Sequence, residues 1–344
     1  IQTSKGNFLS FTYKYSTKDI TKNFSIEEGL QIIITLLTDF TDATLFSTNE
    51  NIELKIFKKK THLKHLKPTI KTKPLLSHDR RKKRIIKTQN NIYLKELGVI
   101  SSKFKILSNK NDKYRQINKF IEIFDSLLSE RVSPKTLSVI DMGSGKGYLT
   151  FSVYDYLVNI KKIKASVIGI ESRIELVALC NKIAEKANFQ NLSFKQGTIS
   201  NYKTEGIDIL IALHACDTAT DESIFQGISK NAQLIICAPC CHKQIRKQFH
   251  VRNELKSILK YGILEERQAE LITDGIRALI MEFFGYKTKV FEFISNEHTA
   301  KNIMITGIKT REQVNKERIL QEINAIKKIY GIKKHHLEIL LNVT

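Results

Sequence analysis

The sequence predicts an α/β fold whose larger part is a parallel, doubly wound sheet. Three observations predict it. Apolar runs of strand length alternate with amphipathic runs of helix length from about 137 to 308. The first of them, Leu137-Ser-Val-Ile-Asp141, runs into glycines at 143, 145 and 147, and a helix-like run begins at Tyr148. Two later runs end in compact clusters of His, Cys and Asp. The chain has 344 residues and is 42% hydrophobic, which allows two domains and a real core.

The elements are expected as follows. Residues 7–16 alternate apolar and polar side chains, a strand signal. Ser25-Ile-Glu-Glu28 is a capping box that starts a helix reaching about Phe40. Short strands follow near 43–48 and 51–58, so residues 1–60 form a small α/β or α+β accessory module. Residues 61–108 read as a basic connector, with Pro68, Pro74 and no clear period over 59–90. A one-faced helix occupies 111–128, with apolar positions 117, 120, 121, 124, 127 and 128. Strands are then expected at 137–141, 166–171, 192–196, 207–213, 233–238, 262–268, 289–295 and 302–308. Helices are expected at 148–159, 173–187, 219–229, 243–259 and 275–284. This sheet domain spans 109–310, and a tail at 311–344 carries an amphipathic helix through Ile319, Ile323, Ile326 and Tyr330.

Charge points to a partner. The net charge is +21, and residues 51–90 hold 14 Lys/Arg against two acids, Glu53 and Asp79. A concentrated basic block suits a phosphate backbone, and the arginines of His78-Asp-Arg-Arg-Lys-Lys-Arg84 suit bidentate phosphate pairing. The partner expected through residues 51–90 is therefore RNA. No apolar run approaches the roughly 18 residues of a membrane span. Five cysteines, an odd count, and no legible leader fit a reducing cytoplasm rather than a disulfide framework.

The glycine turn excludes some cofactors. A phosphate loop needs Gly-x-x-x-x-Gly-Lys-Ser/Thr, and a dinucleotide turn needs Gly-x-Gly-x-x-Gly; neither is present. Here Asp141 sits two residues before the first glycine. A carboxylate there is a poor neighbour for a pyrophosphate and a good one for an ammonium. The next strand ends on Glu171, placed to accept the two ribose hydroxyls of an adenosine. The expected cofactor is S-adenosyl-L-methionine (SAM). Its candidate contacts are Asp141, Gly143, Ser144, Gly145, Gly147, Tyr148, Glu171, Ser172 and His214. Asp112-Lys-Tyr-Arg-Gln116, opening the preceding helix, is expected near this pocket.

The clusters Leu213-His-Ala-Cys-Asp-Thr-Ala-Thr-Asp221 and Ala238-Pro-Cys-Cys-His242 lie where ligands bind in open parallel sheets, beyond the strands' carboxyl ends. Together with Asp141–Gly147 they resemble a branch of the Rossmann-like class I SAM-dependent methyltransferases. That branch includes tRNA 2′-O-methyltransferases and the glutathione-S-transferase-C-terminal-domain-containing protein. The resemblance covers roughly 110–310 and implies a SAM-dependent methyltransferase. The chain departs from it at Asp217, where the relatives usually carry glycine, and it lacks the tRNA enzymes' zinc-finger region.

Catalytic candidates are His214, Asp217, Cys240, Cys241 and His242. His214 or Asp217 could orient or deprotonate a ribose hydroxyl, and His242 could share that role. Cys216 and Cys240/Cys241 occupy tips like those of the nucleophilic cysteines in 5-methylcytosine RNA methyltransferases. Zinc is not expected, because adjacent cysteines should point apart. No Asn/Asp-Pro-Pro-aromatic motif follows the fourth strand, which disfavours base N-methylation. The expected function is methylation of structured RNA, tRNA or rRNA. The alternatives are a protein methyltransferase acting on a ribosomal or other partner, and a non-catalytic RNA-binding protein that retains SAM.

Overall fold

A computed structural model describes residues 1–3, 6–57, 60–72, 84–131, 136–199, 201–202, 206–213, 215–251, 254–293 and 302–343. It divides into two compact units, Ile1–Lys83 and Arg84–Thr344.

The first unit begins with the strand pairs β1 (Gln2–Thr3) with β2 (Gly6–Asn7), and β3 (Leu9–Lys14) with β4 (Asp19–Phe24). Helix α1 (Ile26–Asp39) follows. Ser25 Oγ accepts the Glu28 N–H and Glu28 Oε2 accepts the Ser25 N–H, the expected reciprocal cap. Strands β5 (Asp42–Phe46), β6 (Asn51–Phe57) and β7 (Lys60–Leu66) then form an antiparallel sheet.

The second unit opens with α2 (Ile92–Glu96) and α3 (Asn111–Arg131). The alternating region supplies β8 (Leu137–Met142), α4 (Tyr148–Tyr154, continuing as a π-helix over Asp155–Ile160), β9 (Ala165–Glu171), α5 (Ile174–Lys186) and β10 (Leu192–Gln196). After these come β11 (Ile209–Ala212), α6 (Thr218–Ser229), β12 (Leu234–Cys237), the single turns α7 (Lys243–Arg246) and α8 (Lys256–Leu259), and α9 (Gly262–Phe283). Strands β13 (Tyr286–Glu292) and β14 (Ile303–Lys309) precede α10 (Lys316–Tyr330) and α11 (His336–Leu341).

The sheet order is β10-β9-β8-β11-β12-β14-β13. The first five strands are parallel, and β14 runs antiparallel to both neighbours. Alternation along each strand builds two cores. Leu137, Val139, Ile209, Ile211, Leu234 and Ile236 face the layer holding α2, α3, α4 and α5. Ile140, Met142, Leu210, Ala212, Ile235 and Cys237 face the layer of α6, α9, α10 and α11. Strand order reverses at β8, so the crevice beyond the ends of β8 and β11 is the place for a ligand.

The structure differs from the sequence expectations in three places. The strand expected at 262–268 is the start of α9: Ala269, Ile272, Thr273, Ile276, Arg277 and Ile280 are buried at helical spacing, and that periodicity outweighs the short Ile263-Leu264 run. The helix expected at 243–259 is two separate turns. The stretch 61–108 is not one connector. Its start is β7, laddered to β6. Its end belongs to the second unit, in the core of the α2–α5 layer, with Tyr93 stacked on Phe151 at 5.6 Å and the Ile86 carbonyl accepting the Tyr114 hydroxyl at 2.5 Å. Arg80 and Arg81 fall outside the described residues.

Candidate active site

The turn after β8 is built from backbone. Gly143, Gly145 and Gly147 have φ of 75°, 56° and 71°, a region that a Cβ disfavours. The Gly143 and Ser144 N–H groups both donate to the Ile170 carbonyl at 2.9 Å, tying the turn to β9. Gly147 has a second reason: a Cβ there would come within 2.9 Å of the Phe194 ring. A Cβ at Gly143 would meet nothing within 4 Å, so that side of the turn leaves room for a ligand.

Asp141 is buried at the tip of β8, and its Oδ2 accepts the Thr150 hydroxyl at 2.5 Å. Burial pushes its carboxyl up to about 7, opposed by that hydrogen bond. Glu171 ends β9. Its Oε2 accepts the Gly145 N–H at 2.9 Å, and its Oε1 accepts the Ser172 hydroxyl at 3.2 Å and the Arg173 N–H at 3.1 Å. The Arg173 guanidinium adds Nε to Oε1 at 2.9 Å and Nη2 to Oε2 at 3.3 Å. These bonds, the guanidinium's above all, hold the Glu171 carboxyl down at about 2. Tyr148 opens α4 with Lys113 5.3 Å from its ring centre, so the start of α3 does reach the turn. The buried Ser144 hydroxyl has no hydrogen-bond partner among the described residues. A carboxyl for an ammonium, a carboxylate for a ribose, open space at Gly143 and this unspent hydroxyl together fit SAM.

Register places the other tips alongside. Ile211 of β11 pairs with Asp141, and Ala212 pairs with Cys237 of β12, so the turns after β11 and β12 share the glycine turn's edge. His214 lies outside the described residues. Cys216 is exposed, and Cys240 and Cys241 are half-buried. Cys216 Sγ lies 2.8 Å from Cys240 Sγ, which lies 3.7 Å from Cys241 Sγ. The expectation that Cys240 and Cys241 diverge is therefore corrected. Both thiols lie on one side of the segment after β12, within reach of Cys216. Burial, then the neighbouring thiols, pushes the Cys240 thiol up to about 12.

Asp217 and His242 are engaged elsewhere. Asp217 Oδ1 accepts the Gln244 N–H at 3.1 Å, joining the two turns. His242 is buried, with Nε2 3.1 Å from Asp274 Oδ1. Below it Arg277, with no exposed surface, donates Nε to Asp221 at 2.7 Å, Nη1 to Asp274 at 3.0 Å and Nη2 to the Asp217 carbonyl at 2.8 Å. Sequence reasoning missed Thr150, Arg173, Asp274 and Arg277. The i,i+3 spacing of Asp274 and Arg277 inside an apolar helix was the one legible trace.

Residues 112–248 match the family model described as a methyltransferase domain. This part of the chain is a methyltransferase domain. The cofactor of such a domain is SAM. The glutathione S-transferase C-terminal domain-containing protein homolog of Drosophila pseudoobscura pseudoobscura is 29% identical over 113 residues, covering 33% of this chain and 18% of that protein. The Homo sapiens protein of that name is 25% identical over 194 residues, covering 49% and 30%. The chain thus matches under a third of those relatives' lengths. Among solved structures, the magnesium protoporphyrin IX methyltransferase of Synechocystis with bound SAH aligns at TM-score 0.37 and 14% identity, over 60% of this chain and 89% of that one. An rRNA methylase from Streptococcus thermophilus aligns at 0.34 and 13%, over 56% and 96%. Among the described residues, no helix is long and apolar enough to cross a membrane.

Proposed function

We propose that the protein transfers the methyl group of SAM to structured RNA, tRNA or rRNA, in the cytoplasm. The observation that carries the RNA assignment is the basic block at 51–90 and the way its described part is displayed. Lys55, Lys60 and Lys64 are exposed on one face of the β6–β7 ladder, paired across it with His62, Phe57 and Glu53. Phe57 is 69% exposed beside Lys60, and Lys67 and Lys71 continue the exposed run. Lysines interleaved with an exposed aromatic ring suit phosphates and an unstacked base.

In this reading the Asp141 carboxylate takes the ammonium of SAM, the Gly143–Gly147 turn takes its backbone, and Glu171 takes the ribose. Bound SAM supplies the electrophilic methyl. The chain holds donor and acceptor in line, and positioning supplies most of the acceleration. Cys240 and Cys241 line the acceptor side. Asp217 and His242 act as positioning residues that hold the turns after β11 and β12 together.

The test is transfer of labelled methyl from SAM to total RNA and total protein of a strain lacking the gene, with the labelled product digested and identified. Label in RNA is expected. Label confined to protein replaces the RNA reading with the protein-methyltransferase one. SAM binding with no transfer at all supports the non-catalytic reading. Changing Lys60, Lys64, Arg80 and Arg81 to Glu should flatten the salt dependence of RNA binding, by roughly 0.7–0.9 in log–log slope for each phosphate that is no longer neutralised. An unchanged slope removes the basic block from the interface.

A further inference from the structure

We propose that Cys216, Cys240 and Cys241 form a three-thiolate site for one zinc-class divalent cation, with its fourth position open. The inference deepens the reading of the acceptor side but does not depend on methyl transfer. The three Sγ atoms all lie within 4.8 Å of one another. Zinc bound at about 2.3 Å to each of two thiolates in a tetrahedral arrangement holds their sulfurs about 3.8 Å apart. Cys240 and Cys241 already stand 3.7 Å apart, and the 2.8 Å Cys216–Cys240 pair needs to open by only about 1 Å.

The arrangement is not what local geometry supplies by default. Consecutive side chains of an extended segment point to opposite sides, yet both thiols here turn toward a cysteine 24 residues earlier. The two turns that carry them are also braced from below. Asp217 Oδ1 accepts the Gln244 N–H, Arg277 donates to the Asp217 carbonyl, and the buried His242–Asp274–Arg277 chain fixes the residue after Cys241. Bracing of this kind orients ligands around a metal. Sulfur ligands select soft or borderline cations over magnesium or calcium. Three protein ligands with one of them, Cys216, exposed match the open type of zinc site, whose fourth ligand is water or a substrate atom. On binding, the three thiols lose three protons to solvent and no electron moves.

A simple disulfide between Cys216 and Cys240 is the competing outcome, and it would leave Cys241 without a part. The experiment uses the full chain, purified under reductant and stripped of metal by a chelator. Cobalt(II) alone is added, then zinc. The expected result is thiolate-to-cobalt charge-transfer absorption saturating at one equivalent and abolished by one equivalent of zinc. Zinc should also protect three of the five thiols from a thiol reagent. Cys216→Ser and Cys241→Ser should each weaken zinc at least tenfold, whereas Cys180→Ser, on the buried face of α5, should not. The proposal is overturned if the reduced, folded protein gives no charge-transfer band, if the band survives in the Cys216→Ser/Cys241→Ser double variant, or if air oxidation merely pairs Cys216 with Cys240 while the reduced form ignores cobalt. Neither SAM nor RNA is present, so loss of the metal site and loss of methyl transfer are read separately.

Discussion

The Arg173 guanidinium holds both oxygens of Glu171, with Nε on Oε1 at 2.9 Å and Nη2 on Oε2 at 3.3 Å. With the Gly145 and Arg173 N–H groups and the Ser172 hydroxyl, the carboxylate already takes five donors. A carboxylate offers about four lone-pair sites. A ribose diol therefore binds Glu171 only by displacing the guanidinium, whose side chain is 59% exposed and free to swing into solvent. The guanidinium end of the pair lies in water, which screens it, while the carboxylate end is buried. Arg173→Ala should accordingly tighten SAM binding modestly. Isothermal calorimetry on the two proteins checks it. Markedly weaker binding would mean that the guanidinium touches the adenosine instead.

Asp141 makes cofactor affinity depend on pH. Its buried carboxyl keeps a proton up to about 7, whereas in the unfolded chain it loses that proton near its usual value of 3.8. Between these values the folded state binds more protons, so rising pH costs the ligand-free protein stability, and the loss levels off above 7. The ammonium of SAM needs the ionised form, so its affinity runs the other way. The dissociation constant should fall by about tenfold per pH unit up to about 7 and then flatten. Asp141→Asn should bind weakly and show no such slope. Titrations from pH 5.5 to 7.5 would test this, and a flat wild-type profile removes Asp141 from the ammonium contact.

What was legible in the sequence follows from how local each signal is. The glycine turn could be read because positive φ at 143, 145 and 147 is a residue-by-residue demand. The sheet could be read because inward positions alternate strictly, Val139 to one core and Ile140 to the other. Helix α9 was misread where Ile263-Leu264 gave a short apolar run, before its 3.6-residue period is established. Arg277 was invisible as a site residue, since Asp221 and the Asp217 carbonyl lie 56 and 60 residues away and meet it only through packing. The converging thiols were missed for the same reason. Cys216 meets Cys240 across 24 residues, a contact that the Cys-Cys spacing does not carry.

Asp217 shows a departure whose cost can be measured. The resembling methyltransferases usually carry glycine here, and the backbone explains it: φ is 54° and ψ is −123°, where a side chain is strained by about 1–3 kcal/mol. Aspartate is kept because Oδ1 accepts the Gln244 N–H and joins the turns after β11 and β12. A hydrogen bond of that kind returns about 0.5–1.5 kcal/mol, more when charged. Asp217→Ala loses the bond and keeps the strain, whereas Asp217→Gly loses both. The alanine variant should therefore be less stable than the glycine variant by about 1–3 kcal/mol, with the glycine variant close to wild type. Denaturant unfolding of the three proteins measures these differences directly. Equal stability of the alanine and glycine variants would show that position 217 carries no backbone strain. The glycine of the relatives would then need another reason, such as close approach of the acceptor.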